Sequence, residues 1–208
     1  MKYIKQIAYH KNIRNEIPNQ ELAKTLADEN NADGIKEICE YLKDKNKSVS
    51  SDCIKVIYEI GYINPDLIKS YCELFLELLH SKTNRMVWGA MIALSTIAHL
   101  KADTLWNRLD FIIDTIRKGT LITEVAGIKV LVKIAGQKKE YKNIILPTLM
   151  EYMEKCRPID FAARIETILS VIKEEPEKSN FLNIIEIKKK DLKDSQIKRV
   201  NKILKNWS

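Results

Sequence analysis

Apolar residues recur at three- and four-residue steps through most of the chain, and strand-like alternation is absent, a pattern that predicts helices throughout. The clearest stretch, Met86 to Leu100, carries no formal charge in a chain otherwise dense in Lys, Glu and Asp. Within it Met86, Ala90, Leu94 and Ile97 share one helix face, with Ala93 and Ala98 beside them, so a buried central helix is expected. Shifting by thirty-seven residues brings Ile57, Leu94, Leu131 and Ile168 into one column and Ile60, Ile97, Ile134 and Val171 into the next. A third column, Gly61, Ala98, Ala135 and Ile172, is small in three of its four members, as close approach of two helices requires.

The helix before each of these repeats as well. Ile35, Cys72, Leu109 and Leu146 align, as do Ile38, Phe75, Ile112 and Leu149, and Leu42, Leu79, Ile116 and Met153. Each unit is therefore a helical hairpin, and hairpins repeating at this period stack into a solenoid because none buries its apolar faces alone. The Trp, Gly and Tyr pattern of tetratricopeptide units is missing. Val49, Cys53, Ile57 and Gly61, and likewise Met86, Ala90, Leu94 and Ala98, give a branched or large residue, a small one, a large aliphatic and another small one at four-residue steps. In this the chain resembles the HEAT repeat, to which Thr123, Gly127, Leu131 and Ala135 conform less well. Pro147 also resembles the proline of a first HEAT helix, whereas the loop Asp and second-helix Arg typical of HEAT units do not recur. The resemblance implies an all-α, right-handed α-α superhelix, a HEAT/armadillo-like solenoid of about five helical pairs.

Helix punctuation agrees with that parse: Asn64-Pro65-Asp66 is a cap followed by a first-turn proline, Thr83-Asn84 precedes the central helix, and Lys118-Gly119 closes another. Long linkers and low-complexity segments are absent, so residues 1–208 read as a single domain. Its clear repeats run over about 33–173, with an N-terminal cap over about 1–30 and basic capping helices over about 176–208. In the last of these, Ile197, Val200, Leu204 and Trp207 share a face opposite Lys198, Arg199, Lys202 and Lys205.

Composition narrows the chemistry. Net charge is +7 from 35 basic and 28 acidic side chains, a weak lean toward anionic partners, and between Lys173 and Ser208 ten Lys or Arg stand against six Asp or Glu. The N-terminus carries charges with no long apolar run, and the longest uncharged stretch is too short to span a bilayer. A cytoplasmic protein without membrane attachment is expected. Cys39, Cys53, Cys72 and Cys156 show no paired spacing, and the first three occupy columns that ordinary core residues fill elsewhere. His10, His80 and His99 are scattered, and no glycine loop for phosphate is present, so neither metal nor cofactor is expected.

In HEAT-type solenoids the second helices line the concave side. The stripe opposite the core columns reads Ser51, Lys55, Glu59, Tyr62, then Trp88, Ile92, Thr96, His99, then Val125, Lys129, Lys133, Gly136. A tryptophan-centred apolar strip flanked by lysines has the composition of a binding hot spot. The expected function is a non-catalytic scaffold that binds a protein or peptide partner there, an acidic one if the lysines steer it. The alternative class is nucleic-acid binding. Trp106 and Asp110 have the tryptophan-to-aspartate spacing of the AlkD-like alkylpurine DNA glycosylases, a HEAT-like family in which a carboxylate would stabilise positive charge on the sugar. The register, however, turns both residues outward on a first helix, and the tryptophan-arginine cluster expected one repeat later is absent. Non-catalytic binding is therefore the preferred reading.

Overall fold

The structure, a computed structural model, describes residues 2–207. Among the described residues there is no strand, and the α-helices run in the order α1 (Ile17–Asp28), α2 (Ala32–Glu40), α3 (Lys47–Ile63), α4 (Cys72–Leu78), α5 (Asn84–Ile97), α6 (Ala102–Trp106), α7 (Leu109–Lys118), α8 (Leu121–Ala135), α9 (Lys139–Lys155), α10 (Phe161–Ile168), α11 (Glu175–Lys189) and α12 (Asp194–Trp207). The central helix predicted from Met86 is α5; it starts two residues earlier and ends at Ile97, leaving Leu100 exposed in the following turn. Contacts gather into two compact units, Met1–Val130 and Leu131–Ser208, with the division falling inside α8.

The repeat columns form the core. Ile57, Leu94, Leu131 and Ile168 have no accessible surface, and the other second-helix columns are buried alongside them. The first-helix columns are buried too, except Leu146. That residue lies beside Pro147, which sits inside α9 and lacks the N–H that would close the helical bond to Asn143. Leu146 and Pro147 instead line an open groove of about 530 Å³.

In the first unit, α3 packs between α1 and α5, while α2 and α4 pair with the second helices that follow them, α3 and α5. Glycine sets how closely α3 and α5 approach. A Cβ at Gly61 would overlap Thr96 and lie 2.8 Å from Ile68 Cδ1, and one at Gly89 would lie 2.7 Å from Ile54 Cγ1. Asparagine caps begin α2 and α3: Asn31 accepts from the Gly34 N–H at 2.8 Å and Asn46 from the Ser48 N–H at 3.0 Å.

The segment ahead of α1 is tied down by side chains. The Glu37 carboxylate accepts the backbone N–H groups of Lys2, Tyr3 and Ile4 at 3.0–3.1 Å. Buried Asn19 accepts from the Ala8 N–H at 2.9 Å, and Asp52 accepts both Asn19 Nδ2 and the Tyr9 N–H, at 2.9 and 2.7 Å.

In the second unit, α9 packs on α10 and α11, and α10 on α12. Glu174 and Glu177 form a capping box at the start of α11, and Glu177 also takes the ammonium of buried Lys142 at 2.5 Å. Val200 is buried, Ile197, Leu204 and Trp207 are half-buried, and the basic face of α12 is exposed, with Trp207 edge-on to Phe181 at 5.7 Å.

All four cysteines are free and buried. Burial pushes every thiol above its ordinary range, Cys72 to about 11. Among the described residues, no group of three or more His, Cys, Asp or Glu is placed to hold a metal ion. No described helix is long and apolar enough to cross a membrane.

Candidate functional site

A cluster of aromatic and charged side chains in the first unit lies where α3 and α5 run side by side near the start of α1. Trp88 on α5 is half-buried. One turn earlier, Arg85 lays its guanidinium over the indole, 4.1 Å from the ring centroid, and the Tyr58 ring of α3 lies tilted against it at 6.3 Å. Tyr62, 57 % exposed, meets Tyr58 edge-on at 6.1 Å. A rigid aromatic surface results, buried at Tyr58 and open at Tyr62, with half-buried Ile92 one turn along α5 from Trp88.

The charges around this surface balance one another. Glu16, the residue before α1, gives one carboxylate oxygen to Lys55 at 2.8 Å and the other to Arg85 at 3.0 Å. Lys55 also pairs with Glu59, one helical turn along α3, at 2.6 Å, and its ammonium lies 5.1 Å from the Tyr58 centroid. Two cations therefore face two carboxylates. Hydrogen bonding to Lys55 holds the Glu16 carboxyl below the usual glutamate range. For Lys55, burial pushes the ammonium down, but the bonds to Glu16 and Glu59 outweigh it and raise it.

Two residues of the expected stripe are buried. Lys55 is only 6 % exposed, and its ammonium is paired with Glu16 and Glu59. Thr96 is 5 % exposed because Gly61 of α3 lies directly against it, and its hydroxyl donates to the Ala93 carbonyl at 2.7 Å. Of the remaining expected residues, His99 and Tyr62 are exposed, while Ile92, Trp88 and Glu59 are half-buried. Lys129 is exposed on α8, and Lys133, on the second-unit side of the division, is half-buried.

Arg85, Tyr58 and Glu16 complete the cluster without having been expected there. Arg85 had a local signal, since it precedes Trp88 by three residues on one helix face. Tyr58 likewise stands four residues before Tyr62. Glu16 had none, being separated from Arg85 by 69 positions.

Trp106 and Asp110 lie on different helices. Trp106 ends the short helix α6 and is half-buried, whereas Asp110 stands exposed in the first turn of α7. A solvated carboxylate gives a developing cation little of the stabilisation that a water-excluded site provides.

Lowered carboxyls make stability depend on pH in a defined direction. Burial pushes Glu37 and Glu177 up, but backbone N–H groups at the first, and Lys142 with backbone N–H groups at the second, hold both below the ordinary range, as Lys55 does Glu16. Such groups contribute fully above the unfolded glutamate value of about 4.3, and the contribution is lost as pH falls through the lower folded values. Urea midpoints are therefore expected to fall progressively below about pH 5, and to fall less steeply in a Glu16→Gln, Glu177→Gln double variant. Equal steepness in the two proteins would contradict this assignment.

No family model and no curated protein matches the chain. Solved structures do match in fold. A designed armadillo repeat protein, solved in complex with the peptide (KR)4, is 14 % identical with a TM-score of 0.64, covering 91 % of this chain and 87 % of its own. Two engineered proteins from the Northeast Structural Genomics Consortium, each 14 % identical, have TM-scores of 0.58 and 0.61. The first match covers all of this chain and 98 % of the other protein, the second 98 % and 57 %. With its repeated helices, the chain thus has a HEAT/armadillo-like helical-repeat fold.

Proposed function

We propose that the chain is a non-catalytic binding domain that holds a peptide, or a peptide-like segment of a protein, along the face built by α3 and α5. The observation that carries this is the state of Trp88. It remains part-exposed although Arg85 and Tyr58 fix it from two sides, and an aromatic ring already immobilised loses little entropy when a partner covers it. Tyr62 and Ile92 extend the apolar contact, with His99 and Lys129 as polar contacts beyond it. A peptide on a designed armadillo repeat of similar fold supports the class of ligand. Four free buried thiols suit a reducing compartment, the cytoplasm.

Selecting displayed peptides on the immobilised full chain, with the Trp88→Ala chain as counter-selection, tests this. Apolar-containing peptides retained by the wild type and lost on the variant are expected. Retention of duplex DNA, falling steeply with salt and indifferent to Trp88→Ala, would overturn the reading in favour of nucleic-acid binding.

A further inference from the structure

Glu16 stands where a ligand would stand. Its two carboxylate oxygens are each taken by a different cation, Lys55 from α3 and Arg85 from α5, at 2.8 and 3.0 Å. Both cations are well shielded, with side chains 8 % and 23 % exposed, whereas the Glu16 side chain is 50 % exposed and comes from outside the two helices. We infer that Lys55 and Arg85 form a carboxylate-recognition site that Glu16 fills in the free protein, and that a partner engages by placing there an acidic side chain flanked by apolar residues, displacing Glu16. This rests on the reading of the α3 and α5 face as a peptide-binding surface.

Three features support the exchange. Arg85 carries the site onto the apolar platform, because the guanidinium bound to Glu16 also covers the Trp88 ring at 4.1 Å. A carboxylate accepted by Arg85 therefore has apolar neighbours delivered against Trp88 and Ile92. Removal of Glu16 does not strand a buried charge, since Lys55 keeps Glu59 at 2.6 Å. Nor does it unfasten the N-terminal segment. Residues 9–17 are exposed, while the anchors on either side, Ala8 bonded to Asn19 and buried Pro18 and Asn19, involve other groups.

The chemistry of the partner follows. One carboxylate replaces another, so the balance of charge at the site is conserved and the gain in affinity comes from apolar contact with Trp88 and its neighbours. Glu16 acts as a tethered competitor at high effective concentration. Weakening it increases the fraction of chains whose site is open, and apparent affinity rises with that fraction.

The test uses the full chain and two probes, the capped pentapeptide Ala-Ile-Glu-Ile-Ala and its Gln counterpart, titrated while the Trp88 indole N–H resonance is followed. Glu16→Gln, nearly isosteric and checked for an unchanged fold by circular dichroism, is expected to bind the Glu peptide at least about tenfold more tightly than the wild type. The Gln peptide should gain nothing, and adding Arg85→Gln should remove the gain. Glu16→Asp, which keeps the charge on a shorter stem, should fall between. Equal or weaker binding of the Glu peptide by Glu16→Gln would overturn the inference. So would equal binding of the Glu and Gln peptides, although sensitivity of both to Trp88→Ala would leave the peptide-binding reading standing. Failure of either peptide to move the Trp88 resonance in any of the proteins would overturn the inference and count against that reading as well.

Discussion

Truncating Leu94 to Ala is expected to lower the unfolding free energy by about 2–5 kcal/mol. Leu94 has no accessible surface and stands in the middle of α5, the helix that packs on α3 at one side and on α4 at the other. Replacing its isobutyl group by methyl takes away the transfer free energy of two methyls and a methine and leaves a void that backbones held at Gly61 and Gly89 have little freedom to close. Leu131, equally buried thirty-seven residues later, should respond within the same range. Urea unfolding measures both, with Ile144→Ala as the comparison. Ile144 is 62 % exposed, and its truncation should change stability by no more than about 0.5 kcal/mol. Tolerance at Leu94 and Leu131 matching that at Ile144 would contradict the assignment of the repeat columns to the core.

Trp88→Ala is expected to weaken peptide binding by about 2 kcal/mol or more, roughly thirtyfold in the dissociation constant. It removes the platform on which Arg85 rests and one partner of Tyr58 in a single step. Its effect on stability should be smaller than that of Leu94→Ala, since the indole is partly exposed while Leu94 is enclosed. The separation matters. A variant that lost binding and stability in equal measure would mark Trp88 as core, whereas one that lost binding with a modest change in melting temperature marks it as a contact. The Lys55, Arg85, Glu16 and Glu59 charges cancel at close range, so affinity at this face should change little with added salt.

The architecture was largely legible in the sequence because burial in a helical repeat is periodic and local. One register placed Ile57, Leu94, Leu131 and Ile168 on a common line, and all four proved fully enclosed. Leu146 departs from its column because Pro147 follows it in α9 and an open groove runs beside both. The candidate site was less legible, and the reason is geometric. Counting residues around a helix treats it as an isolated cylinder, yet glycines at positions 61 and 89 draw α3 and α5 together until Thr96 faces α3 instead of solvent. Lys55, on the expected stripe, is claimed by a carboxylate from the N-terminal segment. No periodicity within α3 or α5 contains the information that Glu16 will lie between them. The apolar members of the stripe, Trp88 and Ile92, are partly exposed, and Lys55 is held by a contact distant in sequence.

The three tryptophans, Trp88, Trp106 and Trp207, provide the most direct measurement of where a partner sits. Each gives its own indole N–H resonance, and only Trp88 belongs to the face of α3 and α5; Trp106 ends α6 and Trp207 ends α12. Titrating the full chain with a peptide selected on it is expected to shift Trp88 progressively and saturably while Trp106 and Trp207 stay in place. Saturable movement of Trp106 or Trp207 with Trp88 unmoved would contradict the account and transfer the binding site to another surface.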